Sequence, residues 1–183
     1  MNVFVFPGQG SQHLGMGADL YNSNRKAQQI FEDANEILGF KITDIMFGED
    51  QEALKQTNIT QPAIYIHSMV IALIADKFFK PNAVAGHSLG EFTALAAANY
   101  ISFEDGLRLV HKRAIAMQEA CEKNESSMAA IVGLDDNTVE DVCSQSKETL
   151  VAANYNCPWQ IVISGTINAV NIACNKLTEL GAR

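Results

Sequence analysis

The five residues Gly86-His87-Ser88-Leu89-Gly90 carry a spacing from which acyl chemistry can be built. The short apolar run Asn82 to Ala85 enters this Gly-x-Ser-x-Gly, and the Ala-rich run Phe92 to Ala98 leaves it. That strand–turn–helix context is what a nucleophile elbow requires. The turn is so tight that the positions flanking the serine need almost no side chain, and glycines at 86 and 90 meet that need. The Ser88 hydroxyl is then left projecting into a cleft. A helix that starts beside the serine brings free N–H groups, which can stabilise a developing oxyanion. A bare five-residue match also occurs in ordinary turns, and the strand and helix around this one favour the chemical reading.

Two further features can share a cleft with Ser88. The loop Phe6-Pro7-Gly8-Gln9-Gly10-Ser11-Gln12 follows an N-terminal apolar run. In a parallel sheet the C-terminal strand ends lie on one edge, so this loop and the elbow can meet there. Gly8-Gln9-Gly10 lets backbone approach closely, with the Gln9 N–H free to face an oxyanion. A dinucleotide loop is the competing reading, but it needs a third glycine at position 13, where His13 stands. The second feature is Arg113, which shares a helical face with Val110 and Met117 at spacings of three and four. Leu107, Ala114 and Cys121 make that face apolar. An arginine there needs an anionic partner. An internal carboxylate or the carboxylate of a substrate satisfies that need, and an arginine whose head snorkels to the surface avoids it.

The bulk composition narrows the functional classes. The chain has 183 residues, 48% of them hydrophobic and 19% charged, as in ordinary globular proteins. A formal net charge of -8, with no basic cluster longer than Arg25-Lys26 or His111-Lys112-Arg113, argues against a nucleic-acid surface. The four cysteines, at 121, 143, 157 and 174, are widely spaced and read as reduced thiols of a cytoplasmic protein rather than a metal site. Met1 to Phe6 is too short for a signal or membrane segment, so no membrane partner is expected.

The elements that must position these residues alternate in type. Val3 to Phe6 reads as a buried central strand, Tyr21 to Leu38 as a helix, and Asn58 to Phe79 as a helix started by Thr60-Gln61-Pro62. Ala83 to Ala85 is the strand entering the elbow. Ser102 and Asp105 resemble a capping box for a long helix reaching about Glu122. This order predicts a parallel α/β sheet over residues 1–123. A polar connector, Glu122-Lys123-Asn124-Glu125-Ser126-Ser127, then leads to a second domain over 124–183. Met128 to Val132, Asp136 to Ser146, Leu150 to Tyr155, Gln160 to Ser164 and Asn168 to Leu180 read as β-α-β-β-α. That is one strand short of a ferredoxin-like βαββαβ unit, and it suggests a truncated protein.

Taken together, Phe6 to Gln12, Gly86 to Glu91, Arg113 with Met117-Gln118, and Asn154-Tyr155-Asn156-Cys157-Pro158 with Gln160 to Gly165 resemble malonyl-CoA:acyl carrier protein transacylases. The resemblance runs through the whole chain in order. It implies a hydrolase-like parallel-sheet large subdomain with an inserted ferredoxin-like small subdomain. It further implies that Ser88 carries the acyl group, that the N–H groups of Gln9 and Leu89 form the oxyanion hole, and that Arg113 pairs bidentately with the malonyl carboxylate. Met117, Asn154 and Asn156 are implied as substrate-binding residues. The reaction implied moves malonyl from coenzyme A to the thiol of acyl carrier protein in type II fatty acid synthesis, in the cytoplasm. Coenzyme A enters as a thioester substrate, and no cofactor or metal is implied.

By the same resemblance the general-base histidine lies beyond Arg183, so slow turnover is expected of this chain alone. Neither His13 nor His87 is poised as a base by its sequence position, and His67 and His111 fall within helices. Three rival readings remain. One is an acyltransferase of polyketide synthesis, using methylmalonyl or another extender. Another is an esterase sharing the elbow, against which the apolar-face arginine argues. The last is an incomplete fragment that folds or binds without catalysis.

Overall fold

A computed structural model describes residues 1–123 and 125–183; Asn124, inside the expected connector, lies outside the described residues. The chain divides into two compact units, Met1–Gln118 and Glu119–Arg183.

In the first unit, β1 (Val3–Phe6) and β2 (Ala83–Gly86) pair in parallel, with Val3 opposite Ala83 and Phe6 opposite Gly86. Parallel register puts both C-terminal ends on one edge, so the loop after Phe6 and the turn after Gly86 emerge side by side. The His87 N–H extends this pairing by donating to the Phe6 carbonyl at 3.0 Å. β1 differs from the expected buried central strand: Phe6 is buried, but Val5 is 74% exposed. Side chains alternate between the two faces of a strand, and among the described residues the face that carries Val3 and Val5 is left uncovered while Phe6 packs on the other.

Helices supply the rest of this unit. The single helix expected from Tyr21 is two, α1 (Ala18–Ser23) and α2 (Arg25–Leu38). Asn24 divides them, since its side chain accepts from the N–H groups of Lys26 and Ala27 and so caps α2. Gly39, at φ 77°, ends α2 in the left-handed conformation that glycine adopts without a Cβ penalty. Two short helices, α3 (Ile42–Phe47) and α4 (Gln51–Lys55), precede the central α5 (Thr57–Ala75), which ends in a 3₁₀ turn over Asp76–Phe78. Thr57–Phe78 is long and apolar enough to cross a membrane by length and composition, yet 67% of its apolar window is buried inside the protein. It is the core helix, packed with Phe31, Ile42, Met46, Leu107 and Val110. α6 (Gly90–Ala97) leaves the elbow, and α7 (Phe103–Lys123) follows. Ser102 Oγ accepts from the Asp105 N–H at 2.9 Å and donates to its carboxylate at 2.7 Å, which fixes the start of α7.

The second unit runs β3 (Ser126–Val132), α8 (Asp136–Ser144), β4 (Leu150–Cys157), β5 (Gln160–Thr166) and α9 (Ile167–Glu179). Its antiparallel sheet has the order β3-β5-β4. Val139 and Val142 of α8 and Val170, Ala173 and Leu177 of α9 form its core with Ile131, Leu150, Ile161 and Ile163. This is the β-α-β-β-α arrangement read from the sequence. On the β3 edge away from β5, Arg183 and Val132 exchange both backbone hydrogen bonds, at 2.9 and 3.1 Å. All four cysteines are free thiols.

Candidate active site

Ser88 stands between β2 and α6 with φ 56°, one of four non-glycine residues with positive φ among the described residues. A non-glycine residue held there is strained, and the surroundings must enforce it. The enforcement is steric. A Cβ on Gly86 would lie 1.9 Å from the Gly90 carbonyl carbon, and one on Gly90 would lie 2.3 Å from the Phe6 carbonyl oxygen. The elbow therefore closes directly against itself and against the end of β1. Leu89, buried behind it, anchors the turn in the core, while the Ser88 side chain is left exposed.

Gly8 belongs to the same close packing, since a Cβ there would meet His87 Nδ1 at 2.7 Å and the His87 carbonyl at 2.9 Å. The His87 ring thus lies against the first loop. Ser11 Oγ donates to the Gly8 carbonyl at 2.9 Å, and Gly10 N–H donates to Gln12 Oε1 at 2.8 Å, so the loop is tied within itself. The Gln9 side chain donates to Thr57 Oγ1 at 3.5 Å. Among the described residues, the backbone N–H groups of Gln9 and Leu89 donate to no acceptor. Both adjoin the elbow edge, and Leu89 also stands at the positive end of the α6 dipole.

Arg113 reaches the serine. On α7 it follows the buried Leu107 and Val110 and precedes the buried Ala114, while Arg113 itself is half-buried and Met117, one turn on, is exposed. Its Nη2 donates to Ser88 Oγ at 2.7 Å, and its Nη1 donates to Gln61 Oε1 at 2.6 Å. Gln61, 1% exposed on α5, also donates from Nε2 to Met117 Sδ at 3.4 Å. Ser88, Arg113, Met117 and Gln61 thus form one connected cluster. The sequence reading used Gln61 only as part of a helix start and missed its place here. The available signal was an amide standing immediately before a long apolar run, where a polar side chain must find partners.

No carboxylate forms an ion pair with Arg113 among the described residues; the three described pairs are Lys55–Glu52, Arg108–Glu104 and Lys123–Glu119. Of the open readings of this arginine, the internal ion pair is absent from the described residues, and the half-buried side chain leaves open both a surface-reaching head and a substrate carboxylate. No histidine nitrogen or carboxylate hydrogen bonds to Ser88 Oγ among them either. Burial, with His13 beside it, holds the His67 pKa down, against an opposing pull from Asp19. His67 sits on α5 edge-on to the His13 ring, 6.1 Å between centroids. Asn154 and Asn156 lie on β4 in the second unit, exposed, with Asn156 Nδ2 donating to Gln160 Oε1 at 3.5 Å. Among the described residues no group of three or more His, Cys, Asp or Glu side chains is placed to hold a metal.

A parallel strand pair with a strained serine in the tight turn between strand and helix defines an α/β protein of the nucleophile-elbow type. The acyl transferase domain family matches residues 3–183, and this chain belongs to that family. The malonyl CoA-acyl carrier protein transacylases of Staphylococcus aureus (strain MRSA252) and Bacillus subtilis (strain 168) are each 41% identical to it. Each match covers 99% of this chain, but 59% and 58% of the relative. The chain therefore spans about three-fifths of the length of these curated relatives. Among solved structures, the acyl-carrier-protein S-malonyltransferase of Bartonella henselae superposes with a TM-score of 0.94 at 39% identity, over 100% of this chain and 61% of that one. A type II polyketide acyl carrier protein in complex with its malonyl-transacylase matches at 0.91 and 36%, over 99% and 60%.

Proposed function

We propose that this chain carries the acyl-accepting half of a malonyl transacylase, moving malonyl from coenzyme A to the phosphopantetheine thiol of acyl carrier protein in fatty acid synthesis. The observation that carries this reading is the Arg113 guanidinium, 2.7 Å from Ser88 Oγ and without a carboxylate partner among the described residues. A plain esterase needs no cation beside its nucleophile. A thioester whose acyl group ends in a carboxylate does, and the forked guanidinium matches that group bidentately.

In the first step Ser88 Oγ attacks the thioester carbonyl and the C–S bond breaks. Coenzyme A leaves as the thiol, taking up the proton that the hydroxyl gives up. The N–H groups of Gln9 and Leu89 stabilise the oxyanion. In the second step the carrier thiol attacks the malonyl-serine ester and returns the proton to Ser88. One thioester is exchanged for another, so the overall reaction is nearly thermoneutral and needs no resident cofactor. Catalysis then depends on keeping water from the acyl-serine. In the free site the guanidinium edge rests on Ser88 Oγ, so an arriving carboxylate replaces one acceptor with a better one. Met117 borders this position through its contact with Gln61. Asn154 and Asn156 are assigned to substrate binding on the family resemblance, and the cytoplasm is the compartment that fits free thiols and a coenzyme A substrate.

The test is intact-mass analysis after incubation with malonyl-CoA, followed by peptide mapping. The expected result is one malonyl adduct on Ser88, absent in Ser88→Ala. Acylation should be slow, about 10⁴-fold below that of a serine with a paired base, because no such base contacts Ser88 among the described residues. An adduct on Ser11 or any other residue would remove Ser88 from this role.

A further inference from the structure

Arg113 is held by a neutral group where a charged one would ordinarily be expected. Gln61 is 1% exposed, and its carbonyl accepts from Arg113 Nη1 at 2.6 Å. The opposite end of the amide is also committed, with Nε2 donating to Met117 Sδ at 3.4 Å. A guanidinium has only donors and a thioether only accepts, so these two neighbours dictate which way the amide faces. Arg113 and Met117 are one turn apart on α7, so a single Gln61 side chain from α5 spans both. The plane of the guanidinium is thereby set, and its Nη2 edge is turned towards Ser88.

From this geometry we propose that Gln61 is a positioning residue that sets acyl-group selectivity. It orients Arg113 through a neutral carbonyl and leaves the positive charge for the substrate's carboxylate to neutralise. A glutamate of the same length would accept the same hydrogen bond but cancel the charge internally. The substrate carboxylate would then meet a site that is already neutral. A neutral acyl group never used the charge, so its binding would change little. Arg113 is half-buried, so part of its charge is shielded from water and an internal counter-charge would weaken its attraction for a ligand carboxylate. The inference rests on the reading of Ser88 as acyl acceptor and Arg113 as carboxylate partner.

The experiment compares equilibrium binding of malonyl-CoA and acetyl-CoA to the full chain carrying Ser88→Ala, which blocks turnover. Calorimetry is run on this parent and on Gln61→Glu and Gln61→Met versions, each checked by circular dichroism. The parent is expected to prefer malonyl-CoA. Gln61→Glu should weaken malonyl-CoA by about tenfold or more while leaving acetyl-CoA within about twofold. Gln61→Met keeps the volume and removes the acceptor, and should produce a smaller, equally selective loss. It also decides the matter if the glutamate version does not fold. Nitrogen NMR of the Arg113 side chain supplies a ligand-free readout, with restricted guanidinium rotation in the parent and release in Gln61→Met. A malonyl preference that survives both Gln61 changes, or guanidinium rotation that does not respond, would overturn the role of Gln61 alone. A parent that binds both thioesters equally would instead overturn the functional reading on which it rests.

Discussion

At Arg113 a half-buried cation lies beside three buried apolar residues of its own helix, and under the proposed function it must also stay available to a ligand. Its neutral partners, Gln61 and Ser88, satisfy individual N–H groups without neutralising the charge. Arg113→Ala should therefore cut Ser88 acylation by malonyl-CoA about 10²-fold or more, in line with the loss of a desolvated charge partner. Acylation by acetyl-CoA should fall little. Arg113→Lys should recover only part of the malonyl rate, since an ammonium offers a point charge in place of a fork. Time-resolved intact-mass measurements with both thioesters give the comparison, with thermal melts to verify folding. Equal losses for the two thioesters would show that Arg113 serves structure alone.

The elements are set by a few local devices whose loss has a calculable cost. Gly86 and Gly90 are required because the elbow leaves no space for a methyl group against backbone atoms. Gly86→Ala must push the start of α6 away from β2, and Gly90→Ala must push it away from the end of β1; each should destabilise the protein by about 3 kcal/mol or more. Urea denaturation measures this, and a loss below about 1 kcal/mol would mean that the turn can open freely. Asn24 acts on a smaller scale: Asn24→Ala removes the cap of α2 and should cost about 1 kcal/mol by the same assay. β1 has a different liability. Among the described residues it has one unpaired edge, and one of its faces carries the exposed Val3 and Val5, so it is open to association with another chain. Val5→Lys should reduce concentration-dependent self-association in analytical ultracentrifugation, with the melt unchanged. An unaltered sedimentation profile would show that this edge is inert.

Across the whole molecule, burial of ionisable groups couples folding to pH. Burial lowers the pKa values of His67 and His111 in the folded chain. Between those lowered values and the ordinary histidine value of about 6.5, the unfolded chain binds more protons than the folded one. Stability therefore rises with pH through this interval, is complete above about 6.5, and declines as pH falls below it. Thermal melts should show a midpoint that drops between about pH 7 and pH 5, and His67→Gln should flatten that slope. At lower pH a second decline is expected as Glu32 and Glu148 protonate. Their carboxylates are held below the usual range by the Tyr21 hydroxyl and by Thr166 with Asn168, respectively. A slope unaffected by His67→Gln would mean that the carboxylates alone govern acid sensitivity.

Local pattern was enough to place the alternating elements of the first unit, the β-α-β-β-α order of the second, and the elbow at Ser88. These depend on periodicity, on glycines that tight turns demand, and on caps formed within four residues, all of which are written along the chain. Some local devices were read too coarsely: Asn24 splits a helix that hydrophobic spacing alone makes continuous, and α3 and α4 are too short to show a period. The partner of Arg113 was of another kind. Gln61 lies 52 residues away on a different helix, and the packing of α5 against α7 alone brings its carbonyl to the guanidinium. Exposure of β1 was equally invisible, because an apolar run states that a strand can be buried and not which neighbours cover it. Spacing determines which residues share a face of one element. The neighbour a face meets is decided by how the elements pack in three dimensions.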